Sequence, residues 1–263
     1  MDSTSPTSPT RAASKGKIRE ASYSVKLTVV IPHRLRDDNL RHCLFSIATQ
    51  TRLPHEVVVV DYDSLDSHTG RRRALEELAL TEGLRLRIVY GGPPEEFRLT
   101  TARNKGTREA STQYIASLDA DCTLSAPSLI DAEMWLDRDN VSMVGAPVLY
   151  CMEEGFSYRP PWYGTYPSGG FQAFRACDFE RIGGFNELMH AWGYEDRDFM
   201  TRLLALDESR QIMMLAYPYF HNWHPQELSE AKLLEGENLN RELSQKSCWN
   251  GSEWKILSGP SAA

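Results

Sequence analysis

The first apolar run, Lys26 to Ile31, is β-branched and stops at Pro32, which predicts a strand ended by a residue that cannot donate to a ladder. Leu40, Cys43, Leu44, Ile47 and Ala48 then recur at helical spacing, with Asp37 or Asp38 placed to cap that helix. Glu56 to Val60 is a valine run of the kind buried on both faces of a sheet, and it ends in Asp61, Tyr62, Asp63 and Ser64. A polar helix follows from about Ser67, with Leu75, Leu78 and Ala79 on its inner face and a stop near Gly83. Leu84 to Tyr90 reads as a third strand, Gly91 to Pro94 as a turn, and Thr100 to Ala110 as a helix delivering the chain to a fourth strand at Tyr114. This alternation predicts an α/β fold: a mostly parallel sheet covered by helices on both faces, with right-handed crossovers. Ligands of such sheets bind beyond the carboxyl ends of the strands.

The second half is less regular. Ser125 with Pro127 opens a helix reaching about Leu136, Val141 to Ala146 is a strand, and Tyr150 to Gly170 is a loop loaded with Tyr158, Pro160, Pro161, Trp162, Tyr163 and Tyr166. That loop either packs inward or stacks on a ligand. Gly169 to Arg175 predicts a strand, Ala176 to Ile182 a short helix ended by Gly183 and Gly184, and Glu195 the start of a helix whose first turn is crowded with acids. Gln211 to Ala216 is the last strand of the pattern. A polar amphipathic helix then runs from Pro225 to about Leu243, and Trp249 and Trp254 suggest a tail that docks. Residues 1–22, rich in Ser, Thr and Pro, read as a disordered tail, 23–225 as one domain, and 226–263 as a helical extension.

Three polar clusters fall at predicted strand ends: Pro32 to Arg36, Asp61 to Ser64, and Asp119 to Asp121 in YIASLDADC. If the strand persists through Ala120, Asp119 and Asp121 point the same way and share one small volume. A cation relieves such a pair, and carboxylate oxygens suit Mg²⁺ or Mn²⁺. Taken alone, the triplet reads more simply as a strand running into an acidic turn; the convergence of three clusters raises it above that.

Composition narrows the picture. At 263 residues the chain can bury a sizeable core, and its net charge of −7 argues against a nucleic-acid partner. With no bilayer-length apolar run and no apolar leader, the sequence reads as cytoplasmic. Five scattered cysteines, Cys43, Cys122, Cys151, Cys177 and Cys248, suit reduced thiols better than a disulfide framework.

Over roughly residues 25–225 the chain resembles glycosyltransferases of the GT-A fold. LTVVIPHRLRDDNLRHCL resembles the opening of β-1,4-galactosyltransferases, and ARNKG with YIASLDADC resembles family 2 glycosyltransferases. GGFQAFRACDFERIGGFNELMHAWGYEDRDFMTRL is similar to the C-terminal block of those galactosyltransferases and of bacterial chondroitin and hyaluronan polymerases. The resemblance implies that Pro32, Arg34 and Arg36 line a nucleotide pocket, that Asp61 reads uracil or ribose, and that Arg103 and Asn104 help hold the nucleotide. It implies a metal ligand in Asp121, with Asp119 reaching ribose or metal-bound water, and a further ligand in His221, with His224 in reserve. An imidazole beside carboxylates suits Mn²⁺ somewhat better than Mg²⁺. Asp196 takes the position of the general base and Glu195 that of an acceptor-positioning acid, while Trp192, Gly193 and Gly170 fall on the sugar side. Where relatives read D-D-G-S and W-G-G-E-D, this chain has Tyr62 and Tyr194. The implied activity is inverting, metal-dependent transfer from a UDP-sugar, galactose-type by analogy, to a hydroxyl of a carbohydrate or other acceptor. A nucleotidyltransferase is the rival enzyme class, although PHRLRDD lacks the Gly-rich loop such enzymes place after the first strand. A non-catalytic sugar- or nucleotide-binding module is the other.

Overall fold

The first strand, β1 (Val25–His33), is buried on both faces because helices cover both. A computed structural model describes residues 25–63, 65–152, 157–158, 168–225 and 228–257. The Ser/Thr/Pro-rich tail and most of the aromatic loop, including Trp162, Tyr163 and Tyr166, lie outside the described residues. In β1, Val25, Leu27, Val29 and Ile31 face one core with Leu40, Cys43, Leu44 and Ile47 of α1 (Asp37–Ala48) and with Leu129, Ala132 and Leu136 of α4 (Ser128–Leu136). Val30 faces the other core, with Phe174, Phe179, Phe185 and Phe199. Alternation along one strand thus builds two apolar layers.

The remaining strands of the main sheet are β2 (Pro54–Tyr62), β3 (Leu86–Gly92), β4 (Tyr114–Leu118), β6 (Val141–Gly145), β9 (Phe171–Arg175) and β10 (Gln211–Met214). Their order is β10-β6-β9-β4-β1-β2-β3, and every pairing is parallel except those of β9. The predicted mostly parallel α/β sheet is therefore present. α2 (Leu65–Glu82) and α3 (Leu99–Glu109) are the crossovers after β2 and β3. α3 lies so close to the sheet that a Cβ on Gly106 would stand 2.3 Å from Val30 Cγ1 and 2.9 Å from Val60 Cγ2, which explains a glycine in mid-helix.

Two local expectations are corrected. Residues Asp37 and Asp38 lie in the first turn of α1, where they favour the helix dipole, but Arg36 is the N-cap residue and no side chain caps it. The fourth strand ends at Leu118, and a turn closed by Cys122 N–H to Asp119 O (3.0 Å) separates Asp119 from Asp121. The two acids therefore diverge to different partners instead of sharing one volume.

A second sheet had no counterpart in the sequence pattern. It joins β5 (Cys122–Thr123), β11 (Tyr219–His221), β7 (Val148–Met152) and β8 (Ser157–Tyr158) in the order β5-β11-β7-β8. Beyond it, α5 (Ala176–Arg181), α6 (Glu195–Leu204) and α7 (Glu230–Lys246) complete the helices. The tail docks as expected, through a hairpin of β12 (Ser247–Trp249) and β13 (Trp254–Ile256). Trp254 Nε1 donates to Gly183 O at 3.2 Å, and Trp249 fills the space a Cβ on Gly183 would need. No helix among the described residues is long and apolar enough to cross a membrane.

Candidate active site

The carboxyl ends of β1, β2 and β4 meet at the same sheet edge, and the three polar clusters come with them. At the end of β2, Asp61 is fully buried and bound on every side: by His33 Nδ1 at 2.8 Å, by His68 Nδ1 at 2.9 Å, and by Arg71 through one guanidinium nitrogen at 2.9 and 3.0 Å. Despite the opposing cost of burial, these hydrogen bonds and charges hold its pKa down at about 2. Arg71 also binds Asp37 (2.7 Å) and Asp63 (2.6 Å). Asp61 is thus turned toward the protein. It organises the pocket from behind, and Asp37, Asp63, Ser67 and Arg71 line an open cleft of about 700 Å³ together with Arg36, Trp223 and His224.

Sequence pattern alone does not mark His33, His68 and Arg71, because a histidine inside a basic turn and one arginine of an R-R-R run look like surface charge. His33 is instead fully buried. With Nδ1 bonded to Asp61, its Nε2 accepts the backbone N–H of Arg36 at 3.2 Å. It thereby fixes the tight turn in which Leu35 adopts φ 53° and which presents Arg34 and Arg36. Pro32 is buried inside β1, and the Arg34 guanidinium lies 5.1 Å from the Phe97 ring.

The short β5–β11 ladder pairs His221 with Cys122, and Asn222 N–H bonds Asp121 O at 2.7 Å. Both histidines are thereby brought to the buried Asp121 carboxylate. His221 Nε2 is 3.8 Å from Oδ1, His224 Nε2 is 3.3 Å from Oδ2, and one potential ligand atom from each residue lies within 4.8 Å of the others. Arg36 also donates to Oδ2. His224 Nδ1 is 2.9 Å from Pro225 O, so an N–H there would leave the Nε2 lone pair facing a carboxylate oxygen. Two acceptors facing each other require a proton or a cation between them. The hydrogen bond to Asp121 accordingly raises the His224 pKa. The histidines and Arg36 hold Asp121 far below the ordinary carboxylate range despite its burial.

This donor set suits a divalent ion. One ligand atom from each of Asp121, His221 and His224 lies within 4.8 Å of the others, and donors on one octahedral ion at about 2.1 Å stand about 3–4 Å apart. The backbone carbonyl behind His224 is the kind of outer partner that aims an imidazole at a metal.

Arg103 links this half of the site to the other. It is fully buried, donates to Asp119 Oδ1 and Gly169 O at 2.8 Å each, and places a guanidinium nitrogen 3.6 Å from Glu195 Oε1. Asp196 lies alongside, since a Cβ on Gly169 would be 3.2 Å from Asp196 Cβ. Gly170 is buried against Tyr219 and Cys122, and its carbonyl accepts the Asp119 N–H. The neighbouring Asn104 stands apart: its buried amide exchanges hydrogen bonds with Phe185 and donates to Glu187 Oε1 at 2.7 Å. It therefore secures the 184–187 loop. Replacing Arg103 by Met leaves Asp119, Glu195 and Asp196 without their shared cation. Breaking such a buried pair costs about 3–5 kcal/mol, so the melting temperature of Arg103→Met should fall by on the order of 10 °C; scanning calorimetry would show it.

Burial, then the neighbouring Asp196, pushes the Glu195 carboxyl up to about 7, and burial also raises Asp196. Both carboxyls of the pair are thus held above their ordinary range, with Arg103 opposing the rise in each. A raised folded-state pKa contributes stability that is complete below about pH 4.5 and lost as pH rises through about 7. Glu195→Gln should remove that loss, so thermal unfolding from pH 5 to 8 should favour the variant progressively; a constant difference from wild type would contradict the assignment.

Residues 28–199 match the model of the family described as glycosyl transferase family 2. The chain belongs to glycosyl transferase family 2. Its sheet, with both cores and the acid turn at its edge, is the GT-A fold. This family 2 chain is 29% identical over 229 residues to validoxylamine A glucosyltransferase of Streptomyces hygroscopicus subsp. limoneus, covering 70% of itself and 49% of that protein. It is 26% identical over 166 residues to glycosyltransferase AglE of Haloferax volcanii, covering 59% of itself and 45% of that protein. The chain thus spans about half the length of these curated relatives. The mannosyltransferase PcManGT from Pyrobaculum calidifontis, solved with GDP-Man and Mn²⁺, superposes with a TM-score of 0.61 at 20% identity, over 79% of this chain and 60% of that one. Residues 1–349 of S. aureus TarS, solved with UDP, superpose with a TM-score of 0.58 at 20% identity, over 84% and 72%.

Proposed function

We propose that this family 2 chain transfers a hexosyl group from a UDP-sugar to a hydroxyl of a carbohydrate or other acceptor, with inversion and with Mn²⁺ or Mg²⁺ as cofactor. The observation that carries the reading is Arg103, which binds Asp119 on one side and reaches Glu195 on the other, so that metal-binding and base-bearing segments share one buried cation. Asp121, His221 and His224 would hold the metal, which when bound supplies Lewis-acid neutralisation of the departing diphosphate.

Arg34 and Arg36 present guanidinium groups suited to diphosphate oxygens. Asp63, Ser67 and Arg71 line the cleft where the nucleoside would enter. Asp196 accepts the proton of the attacking hydroxyl as the new bond to the anomeric carbon forms and the bond to the diphosphate breaks on the opposite face. Trp192, with 56% of its surface exposed, offers a ring face to the acceptor sugar. The galactosyltransferase-like character of the 169–203 block belongs to this proposal. Relatives named for glucosyl and mannosyl chemistry favour hexose as the transferred class over galactose alone.

A thermal-shift screen of UDP-sugars with and without Mn²⁺ tests this reading. A donor at 100 times its Kd adds about 2.7 kcal/mol, a rise of several degrees, expected only with Mn²⁺. Incubation with an acceptor should then release UDP. Release of pyrophosphate from a nucleoside triphosphate and sugar phosphate, with no UDP formed from any donor, would overturn it.

A further inference from the structure

α7 lies beyond the family-matched residues 28–199, and its attachment is unusual. An amphipathic helix ordinarily docks through an apolar stripe, yet the residues α7 buries most fully are Gly236 and Asn240, flanked by half-buried Leu233 and Leu243, while Leu234 and Leu239 are 59% and 40% exposed. Both buried residues grip one loop. Asn240 Nδ2 donates to Ala191 O at 2.9 Å and to Gly193 O at 2.7 Å, bracketing Trp192. One turn earlier, a Cβ on Gly236 would meet Trp192 O at 3.0 Å and Trp192 N at 3.2 Å, so helix backbone lies directly on loop backbone. One turn later, Ser244 donates to Asp198 Oδ1 at 2.6 Å, in the first turn of α6 that carries Glu195 and Asp196. Positions 236, 240 and 244 form a single i, i+4, i+8 stripe aimed at residues 191–198.

The gripped loop needs such support. Gly193 and Tyr194 are consecutive left-handed residues, φ 89° and 70°, and a tyrosine pays for that geometry in steric strain. Arg197 and Arg241, the latter from α7, place their guanidinium carbons 5.4 and 5.6 Å from the Tyr194 ring.

We propose that α7 is the acceptor-side positioning element of this enzyme: Asn240 and Gly236 set the place of Trp192 and thereby the acceptor the site admits. The proposal rests on the acceptor-side reading of residues 192–196. Asn240 touches no reacting atom and acts through the loop.

The test uses the full chain labelled with 5-fluorotryptophan, the Trp192 ¹⁹F resonance being assigned by Trp192→Phe. Asn240→Ala should displace the Trp192 resonance while that of Trp135, packed against the first core, stays in place. With UDP-glucose or UDP-galactose, Mn²⁺ and a set of p-nitrophenyl hexosides as acceptor probes, the same variant should raise the acceptor KM at least tenfold. Its affinity for UDP should stay within twofold of wild type. If Asn240→Ala does not fold, Gly236→Ala, which pushes one methyl onto Trp192, should give the same displacement. A folded variant with an unmoved Trp192 resonance and an unchanged acceptor KM would overturn the proposal. A wild-type chain that binds no UDP with Mn²⁺ would instead defeat the site reading, and the resonance would still decide the role of α7 in placing the loop.

Discussion

Asp196→Asn is expected to bind UDP and Mn²⁺ as wild type does and to lose transfer by about 10²–10⁴-fold, the range that general-base catalysis supplies. The substitution keeps the size of the side chain and its acceptor for the Arg197 N–H, now 2.7 Å from Asp196 Oδ1, while removing the basic oxygen. Glu195 is a poor replacement because its carboxyl holds its proton up to about pH 7 and its Oε1 faces Arg103. The loss should therefore fall on turnover and leave the donor affinity in place. Steady-state UDP release together with calorimetric UDP binding separates these effects. A variant that turned over normally would remove Asp196 from the role of base, and one that no longer bound UDP would mark it as a structural part of the donor cleft.

The second large effect is expected at Asp121. Asp121→Ala takes away the carboxylate to which His221, His224 and Arg36 all converge. Metal-dependent UDP affinity should fall by on the order of 100-fold or more, since even outer partners of a metal site cost 10–100-fold when lost. That corresponds to about 2.7 kcal/mol. The fold should survive, because Asp121 sits in a turn at the sheet edge, outside both apolar cores. Calorimetry with UDP in the presence and absence of Mn²⁺ reads the effect directly, and unchanged affinity in both conditions would remove the metal assignment.

The sheet was legible because its strands are long and β-branched and its crossovers keep helical spacing: LTVVI, EVVVV and YIASL each announced a buried strand. The edge where their ends meet followed from topology alone. The geometry at Asp121 was less legible, since it depends on β5 and β11, strands of two and three residues whose pairing spans about a hundred positions. Strands that short carry no periodicity of their own. Hence the sequence could rank His221 above His224, whereas the structure brings both to the same carboxylate. The network around Asp61 was hidden for a related reason. His33, His68 and Arg71 are polar residues in polar stretches, and only the folded chain reveals that they converge on one buried acid. The ARNKG motif gave no sign that the Asn104 amide is bonded to a loop 81 residues further along the chain. Likewise α7 read as a polar amphipathic extension, and its stripe of Gly236, Asn240 and Ser244 has no hydrophobic signature by which a pattern could place it.

The central claim is that one cleft holds a divalent ion and a nucleoside diphosphate through Asp121, His221 and His224, beside a base on the far side of Arg103. Titration of UDP into the wild-type chain with and without Mn²⁺ tests it most directly. The account predicts binding that requires Mn²⁺, vanishes in Asp121→Ala and persists in Asp196→Asn. UDP affinity that is indifferent to both Mn²⁺ and Asp121 would contradict it.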